Sequence, residues 1–515
     1  MACYHVHCNI AGQEENVRNM LLTFDPQARI TADAGQGFSF EILTLDRGFS
    51  AIGRFYAARS GSGAGVTVSS AVRSGSGAGD AIIEERLIDC EISDPRYPAE
   101  DLERRIRERI RLLCLRLMAR ATGQPTSPWG ILTGIRPTKI YFYLSELGFT
   151  ADEIRERLVS VYGLAPAKAD LVREVAQVEE PYLKIAADQV GVYIGIPFCP
   201  TRCHYCSFAS YPLSTHGHLV PRFLEAVTRE IQAVSACLRS AGLKINCLYV
   251  GGGTPTALPD GAFETLMQQL SQSFQIPAQG QGEFTVEAGR PDTISYRKAM
   301  IIKAAGANRV SVNPQTMNEK TLAIIGRDHT AAEVYRAVEC IRAAGIANLN
   351  MDLIAGLPGE TCSDMEQTLL AIQKLAPENL TVHTLAIKRA SQWRHNLADY
   401  DLPSAAETAA MVELASQAAV RMGMHPYYLY RQRFILANLE NLGYSLPGNE
   451  SPYNIQMIEE RQTVVGLGGG GVTRMVQPQS GKVERLFNPK CPATYFSGIE
   501  EIISRKVKSI EGLFH

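Results

Sequence analysis

Three cysteines lie within eight residues of one another in the stretch GIPFCPTRCHYCSFAS, residues 195–210. Cys199, Cys203 and Cys206 follow the spacing C-x3-C-x2-C. Thiolates are soft ligands that suit zinc or an iron–sulfur cluster. A structural zinc site usually takes four ligands in two separated pairs, and this sequence has no second C-x-x-C pair. Three thiolates on one loop would hold three irons of a 4Fe–4S cluster and leave the fourth iron open for a ligand.

A redox-active pair is the other chemistry open to these cysteines. Cys203 and Cys206 form a C-x-x-C unit, but the thioredoxin-like context that such a pair needs is missing. The chain has 12 cysteines, and those outside the trio occur singly. We expect them to stay reduced and to pack as small buried hydrophobes.

The elements that would position the cysteine loop begin near Val190, where short apolar runs alternate with amphipathic stretches. This alternation indicates parallel β/α units. Six units predict a partial (β/α)6 barrel, with its chemistry on the loops after the carboxyl ends of the strands. The predicted strands are Val192–Ile196, Ile245–Val250, Phe284–Val286, Arg309–Val312, Asn348–Leu353 and Asn379–Leu385.

Each distinctive motif of this region follows one of the predicted strands. The cysteines follow the first strand, and the glycine-rich GGGTP, residues 251–255, follows the second. Glycine allows a backbone to approach a ligand closely. Glu287 ends the third strand, and Asp352 lies near the end of the fifth. The motifs are therefore predicted to meet at one mouth of the barrel.

A C-x3-C-x2-C motif directly after the first strand of a partial β/α barrel resembles the signature of the radical S-adenosylmethionine (SAM) enzymes. The resemblance implies a 4Fe–4S cluster on Cys199, Cys203 and Cys206. It further implies that the open iron binds the amino and carboxylate groups of SAM. One electron from the cluster would then cleave SAM to methionine and a 5′-deoxyadenosyl radical.

The stretch VYIGIPFC, residues 192–199, resembles the oxygen-independent coproporphyrinogen III oxidase family. The resemblance implies that GGGTP lies at the methionine part of SAM and that the Glu287 carboxylate binds the ribose. It also implies residues around a second SAM, which would wait for cleavage or donate a methyl group. The cofactor-binding positions implied in this way are Tyr193, Tyr205, Gly252, Gly253, Thr254, Glu287, Gln315, Arg327, Asp352 and Ala386.

Two further stretches resemble one branch of that family, the HemZ-like coproporphyrinogen dehydrogenases. They are PWGILTGIRPTKI, residues 128–140, and HPYYLYRQ, residues 425–432. Arg136 and Lys139 in the first stretch would bind substrate carboxylates or serve domain packing. Phe208 stands where the oxidase family often has a further cysteine. Haem-chaperone relatives carry H-N-x-x-Y-W, whereas the counterpart here, PYNIQM, lacks the histidine and the tryptophan.

The resemblance implies oxidative decarboxylation of two propionates of coproporphyrinogen III to vinyl groups, giving protoporphyrinogen IX. Such an enzyme needs a porphyrinogen substrate and an electron donor such as flavodoxin or ferredoxin. Two alternatives stay open at the level of sequence. One is a radical SAM methyltransferase acting on a porphyrin-like ring, and the other is a haem-binding or haem-transfer protein.

The composition of the chain sets the wider expectations. Its 515 residues predict two or three domains, and a net charge of −2 gives no case for nucleic acid or a membrane surface. The start, MACYHVHCNI, lacks the features of a signal peptide, which predicts a cytoplasmic protein. We expect an α/β fold with an accessory α/β domain (1–185), the barrel (186–400) and an α+β extension (401–515). The stretch 57–80 is rich in glycine and serine and predicts a flexible loop.

Overall fold

The computed structural model describes residues 94–514 except 124–125, 135, 277–281, 389–390, 392, 394–399, 433–434 and 479. Before residue 94 it describes residues 15, 17 and 20 and the strand segments 3–8, 29–30, 36–45, 48–56 and 82–89. The expected loop at 57–80 lies outside the described residues. The chain divides into two compact units, residues 1–173 and 174–515. The domain limits at 185 and 400 stay predictions.

The first unit contains a five-stranded sheet in the order β2-β1-β3-β4-β5. β1 pairs in parallel with β2 and β3, whereas β3, β4 and β5 pair antiparallel. Its elements are β1 (Cys3–Cys8), β2 (Arg29–Ile30), β3 (Gln36–Leu45), β4 (Gly48–Tyr56), β5 (Ile82–Asp89), α1 (Leu102–Thr122), α2 (Pro137–Glu146) and α3 (Ala151–Ser160). In α1, Ile110, Leu113 and Leu117 are fully buried, because their spacing places them on one face of the helix. Helix α4 (Pro166–Leu183) spans the boundary between the units.

The second unit is built on a sheet of eleven described strands, in the order β14-β15-β13-β12-β11-β10-β9-β6-β16-β17-β18. From β13 to β16 in that order the strands run parallel. The parallel strands are β6 (Gln189–Ile196), β9 (Lys244–Gly252), β10 (Glu283–Glu287), β11 (Arg309–Ser311), β12 (Asn348–Ala355), β13 (Asn379–Thr384) and β16 (Val464–Gly468). A separate short pair, β7 (Phe198–Cys199) and β8 (Tyr211–Pro212), closes the cysteine loop.

Helices alternate with the parallel strands, as β/α units require. They are α5 (Leu213–His216), α6 (Val220–Ser240), α7 (Asp260–Ser273), α8 (Tyr296–Ala304), α9 (Glu319–Ile324), α10 (Ala331–Ala343) and α11 (Cys362–Leu375). Beyond β13 lie α12 (Ala405–Arg421), α13 (Pro452–Glu459), α14 (Pro492–Ser497) and α15 (Ile499–Phe514). In the part of the chain that the structure describes, no helix combines the length and apolar character needed to cross a membrane.

The six predicted strands are all present, and the α/β prediction is confirmed. They correspond to β6 and to β9 through β13. The apolar residues of these strands are covered on both faces. In β12, for example, the consecutive residues Leu353, Ile354 and Ala355 are all buried, although successive side chains point to opposite faces. Such near-continuous apolar runs are typical of parallel strands that lie between layers of other structure.

The C-terminal extension adds strands to both edges of this six-stranded core. On one side β15 (Asn441–Ser445) pairs antiparallel with β13, and β14 (His425–Tyr430) lies outside it. On the other side β16 pairs in parallel with β6, and β17 (Val472–Val476) and β18 (Val483–Phe487) follow antiparallel. The extension therefore shares its sheet with the barrel.

A buried ion pair supports the glycine-rich turn between β16 and β17. Glu230 of α6 is fully buried and accepts hydrogen bonds from the Gly468 amide at 2.8 Å and the Tyr495 hydroxyl at 2.7 Å. Lys506 of α15 is 1% exposed and lies 2.5 Å from the Glu230 carboxylate. In the turn itself, the amide of Gly469 donates to the Gly195 carbonyl at 2.8 Å. The ion pair thus stabilises a turn that rests on the strand leading to the cysteines.

We expect Lys506→Met to lower the free energy of unfolding by about 3–5 kcal/mol, because it leaves the Glu230 carboxylate buried without a cation. Urea denaturation of the full chain measures this change. The matched control is Lys508→Met, two residues further along α15, where the side chain is exposed. It should change the free energy of unfolding by no more than about 0.5 kcal/mol. Equal losses in the two variants would contradict a stabilising role for the ion pair.

Candidate active site

A cavity of about 540 Å³ opens at the carboxyl ends of the parallel strands. Loops in this position carry the active sites of β/α barrels. All the residues that the sequence analysis assigned to the cluster and to SAM line this one cavity. They are Tyr193, Cys199, Cys203, Tyr205, Cys206, Gly252, Gly253, Thr254, Glu287, Gln315, Arg327, Asp352 and Ala386. The structure thus brings them together, and their individual roles stay predictions.

The cysteine loop is held at both ends and in its middle. At its ends β7 pairs with β8, and the Tyr211 amide donates to the Pro197 carbonyl at 2.9 Å. In its middle the His204 amide donates to the Ile325 carbonyl at 3.0 Å. The His204 ring nitrogen Nδ1 lies 2.9 Å from the Ile324 carbonyl oxygen. These bonds join the loop to the end of α9, immediately before Arg327.

The thiols of Cys199 and Cys206 are largely shielded from solvent. Burial raises the pKa of the Cys206 thiol to about 11. Burial also raises the pKa of Cys199, and hydrogen bonds from Ser210 and Thr254 oppose this in part. The Thr254 hydroxyl lies 3.4 Å from the Cys199 sulfur. Among the described residues, no group of three or more His, Cys, Asp or Glu side chains is placed to hold one metal ion. The donor set itself, three thiols on one loop beside a cavity, fits an iron–sulfur cluster.

The glycines after β9 lie directly against the cysteine loop. Gly252 has a φ of +107°, in the region that favours glycine. A Cβ at Gly253 would lie 2.5 Å from the Phe198 carbonyl oxygen and 2.9 Å from the Cys199 sulfur. A Cβ at Gly251 would lie 2.5 Å from a Glu287 carboxyl oxygen. The clash at Gly253 involves a backbone carbonyl, so glycine is required there for the segment to lie directly against the cysteine loop.

Two carboxyl groups, which we call the cavity carboxylates, face the same space. Glu287 ends β10 and accepts a hydrogen bond from the Gly252 amide at 3.3 Å. Burial raises the pKa of Glu287 to about 8, and the charge of Asp352 adds to the increase. Asp352 in β12 accepts from the Asn350 side-chain amide at 2.8 Å. Two carboxylates in one enclosed space favour a ligand that carries positive charge.

Gln315 is held in an unusual backbone conformation at the cavity wall. Its φ is +68°, which is rare for a residue other than glycine. Main-chain hydrogen bonds to β12 hold it there, from its amide to the Asp352 carbonyl and from the Ile354 amide to its carbonyl, both at 2.9 Å. The side-chain oxygen Oε1 is buried and has no hydrogen-bond partner among the described residues. Strain together with an unsatisfied polar atom indicates a functional position.

Arg327 also presents an unsatisfied group. Its side chain is buried and donates to the Gly289 carbonyl at 2.5 Å, with the Tyr205 hydroxyl at 3.5 Å. The Nε atom is buried and makes no hydrogen bond within the described part of the chain. Arg327 therefore links the cysteine loop, through Tyr205, to the end of the third strand of the barrel. It retains a donor for a polar ligand.

The cavity also contains residues that the sequence did not assign to a site. The rings of Tyr193, Tyr249 and Tyr453 stack, with centroids 4.2 Å apart for Tyr249 and Tyr453. The Tyr430 hydroxyl lies 3.1 Å from His383 Nδ1, and His383 Nε2 lies 3.7 Å from Asp352. The motif PYNIQM forms the start of α13 and places Tyr453 in the cavity. No sequence signal joined these residues, because they come from distant segments.

Arg290 is a further unassigned residue, although it follows Glu287 closely in the sequence. Its side chain is buried and paired with Asp292 at 3.0 Å. It also donates to the Thr201 hydroxyl, within the cysteine loop, at 2.9 Å. In the first unit, Arg136 precedes α2 and Lys139 lies within it. Their contact with substrate carboxylates stays a prediction.

Known proteins match this chain over the barrel and beyond it. The model of the radical SAM superfamily matches residues 193–372. The chain is 38% identical over 423 residues to the oxygen-independent coproporphyrinogen-III oxidase-like protein HemZ of Bacillus subtilis. The aligned region covers 82% of this chain and 84% of that protein. It is 30% identical to the heme chaperone HemW of the same organism, over 54% of this chain and 69% of HemW. It is 29% identical to the oxygen-independent coproporphyrinogen III oxidase of Pseudomonas aeruginosa, over 50% of this chain and 55% of that enzyme.

The extent of the match to HemZ confirms the resemblance that the cysteine spacing and the strand-end motifs indicated. This chain belongs to the radical SAM superfamily and, within it, to the family of the oxygen-independent coproporphyrinogen-III oxidase-like protein HemZ.

Proposed function

We propose that the chain catalyses the oxygen-independent oxidative decarboxylation of two propionates of coproporphyrinogen III, giving protoporphyrinogen IX. The observation that carries the proposal is that the cysteine loop, the cavity carboxylates and the unsatisfied groups of Gln315 and Arg327 share one cavity. Relatives named as a coproporphyrinogen III oxidase and an oxidase-like protein support this substrate class.

In this proposal, Cys199, Cys203 and Cys206 hold the cluster. The glycine segment at Gly252 and Gly253, which has no side chains, leaves room for the methionine part of SAM, and Glu287 accepts from the ribose hydroxyls. When bound, the reduced cluster and SAM supply a one-electron cleavage that removes a hydrogen atom from an unactivated carbon. The chain's own contribution is to orient SAM, to hold the substrate against it and to exclude water.

Gln315, Arg327 and Asp352, with Tyr205 and Ala386, are proposed to hold a second SAM. Arg327 Nε and Gln315 Oε1 are complementary to a carboxylate and an ammonium, respectively, because one donates and the other accepts. Asp352 can accept from a ribose hydroxyl or an amino group. The second molecule would serve the second decarboxylation.

The proposed decarboxylation needs no molecular oxygen. The β-carbon of a propionate loses a hydrogen atom to the radical, the bond to the carboxylate breaks and carbon dioxide leaves. The remaining electron passes to an external one-electron acceptor, and a vinyl group forms.

A haem-binding or haem-transfer role is the second candidate. It is favoured by the similarity to relatives named heme chaperone HemW. This role predicts stoichiometric binding of haem without conversion of a porphyrinogen. Product analysis and haem titration of the same preparation therefore separate the two candidates.

The assignment of the cluster predicts a difference between cysteines. Cys199→Ala, Cys203→Ala and Cys206→Ala should each remove most of the iron and sulfide of the reconstituted protein and abolish cleavage of SAM, because each supplies one ligand. The matched controls are Cys237→Ala and Cys340→Ala, which lie on α6 and α10. The controls should retain both properties. Retention of iron and cleavage after loss of any member of the trio would refute the assignment.

The raised pKa of Glu287 predicts that binding of SAM depends on pH. The sulfonium of SAM and its ribose hydroxyls favour the ionised carboxyl, so below pH 8 binding must release a proton from Glu287. Affinity measured by calorimetry should rise with pH and level off above about 8. Glu287→Gln should remove this contribution and weaken binding at pH 9 by about tenfold to 150-fold.

The control for this experiment is Glu366→Gln, at an exposed position of α11. It should leave the affinity and its pH dependence unchanged. Superimposable pH profiles for Glu287→Gln and the wild type would exclude the carboxyl of Glu287 from the SAM site.

The products distinguish decarboxylation from methyl transfer. Mass spectrometry of the anaerobic reaction with coproporphyrinogen III should show protoporphyrinogen IX, 5′-deoxyadenosine and carbon dioxide, without S-adenosylhomocysteine. Arg327→Ala should lower full conversion, with accumulation of the mono-vinyl intermediate, while the cluster stays in place. Melting curves of this variant detect a loss of folding. A methylated ring together with S-adenosylhomocysteine would show that the protein is a methyltransferase and not a dehydrogenase.

A further inference from the structure

The cysteine loop presents an aromatic ring to solvent just beyond its last cysteine. Phe208 is 66% exposed, although it lies only two residues after Cys206. Its backbone N–H donates a hydrogen bond to Cys206. Single exposed hydrophobic residues are common on protein surfaces. Phe208 is unusual because its backbone is hydrogen-bonded to the Cys206 thiol, which the proposed function assigns to the cluster.

Two lysines and an arginine lie on or beside the cysteine loop, and Phe208 and Lys388 also line the cavity. The Lys388 ammonium lies 5.7 Å from the centroid of the Phe208 ring. Lys490 is exposed and acts electrostatically on Lys388. A Cβ placed on Gly470 would lie 3.5 Å from both the Lys490 side chain and Ala209, which puts Lys490 beside the cysteine loop. Arg202 acts electrostatically on Cys206. We call Phe208, Arg202, Lys388 and Lys490 the Phe208 patch.

The patch combines an aromatic centre with a rim of one charge sign. Aromatic residues and arginine are enriched in the cores of protein interfaces. Charges of one sign around an interface speed the encounter with a partner of opposite charge. Cys206, which would hold the cluster, lies two residues before Phe208 and accepts a hydrogen bond from its backbone.

We propose that the Phe208 patch is the docking surface for an acidic protein that carries a one-electron cofactor, and that electrons enter the cluster at Cys206. The proposal rests on the proposed function, since it requires the cluster. One electron passes from the donor's cofactor, which is oxidised, to the cluster, which is reduced, and no covalent bond changes.

The experiment compares two electron donors of opposite charge on the cluster-loaded full chain. Stopped-flow absorbance measures the rate of cluster reduction by reduced flavodoxin, an acidic protein, and by reduced methyl viologen, a small cation. Phe208→Ser and Lys490→Glu should each slow reduction by flavodoxin at low salt by about tenfold or more. Salt should diminish the difference between Lys490→Glu and the wild type. Reduction by methyl viologen should stay at the wild-type rate or become faster in Lys490→Glu.

The matched controls carry the same changes elsewhere on the surface. Val420 of α12 is also 66% exposed, and Lys508 of α15 is exposed. Val420→Ser and Lys508→Glu should behave as the wild type with both donors.

Three results with the variants would overturn the docking surface. They are an unchanged rate with flavodoxin in both patch variants, an equal loss with both donors in Phe208→Ser, and a raised KM for the tetrapyrrole in Lys490→Glu with normal reduction by flavodoxin. The last result would assign the rim to substrate carboxylates. A wild-type protein that binds no cluster contradicts the proposed function instead. Reduction of the wild type by methyl viologen but not by flavodoxin contradicts the docking surface alone.

Discussion

The close contact between two backbone segments determines the geometry of the site. The Gly253 amide donates to the Ile196 carbonyl and the Thr254 amide donates to the Phe198 carbonyl, each at 2.7 Å. Because a side chain at Gly253 would collide with the Phe198 carbonyl and the Cys199 sulfur, the contact requires glycine. It fixes the loop after the second barrel strand against the start of the cysteine loop. The position of Cys199 relative to the glycine segment depends on this contact.

The polar wall of the cavity depends on strand register in a similar way. Glu287 pairs with Ser311, and Ser311 pairs with Asn350, so the ends of three parallel strands lie level with one another. Hydrogen bonds then run along this wall, from the Asn350 side chain to Ser311 and to Asp352, each at 2.8 Å. These bonds orient the Asp352 carboxylate, whereas Glu287 is held by the Gly252 amide. The left-handed backbone at Gln315 is held by β12, the strand that carries Asp352.

Much of the barrel could be predicted from the sequence, because its strands are short apolar runs and its helices are amphipathic. The mouth of the site could be predicted for a related reason, since chain direction alone places the ends of parallel strands on one edge. What could not be predicted are contacts between distant segments. Tyr453 stacks on Tyr249 about two hundred residues away, and β16 pairs with β6 across about 270 residues. The pKa of Glu287 belongs to this class as well, because it depends on burial and on Asp352.

The position of β16 has a consequence for the order in which the protein is completed. Synthesis runs from the N terminus, so β6 has a partner on one side, β9, long before residues 464–468 emerge to cover its other side. During that interval the strand that leads into the cysteine loop is an exposed edge, the kind of surface that pairs with other chains. A nascent or truncated chain therefore exposes an unpaired strand edge directly beside the three cysteines. When β16 in the last fifth of the sequence pairs with β6, this edge is covered.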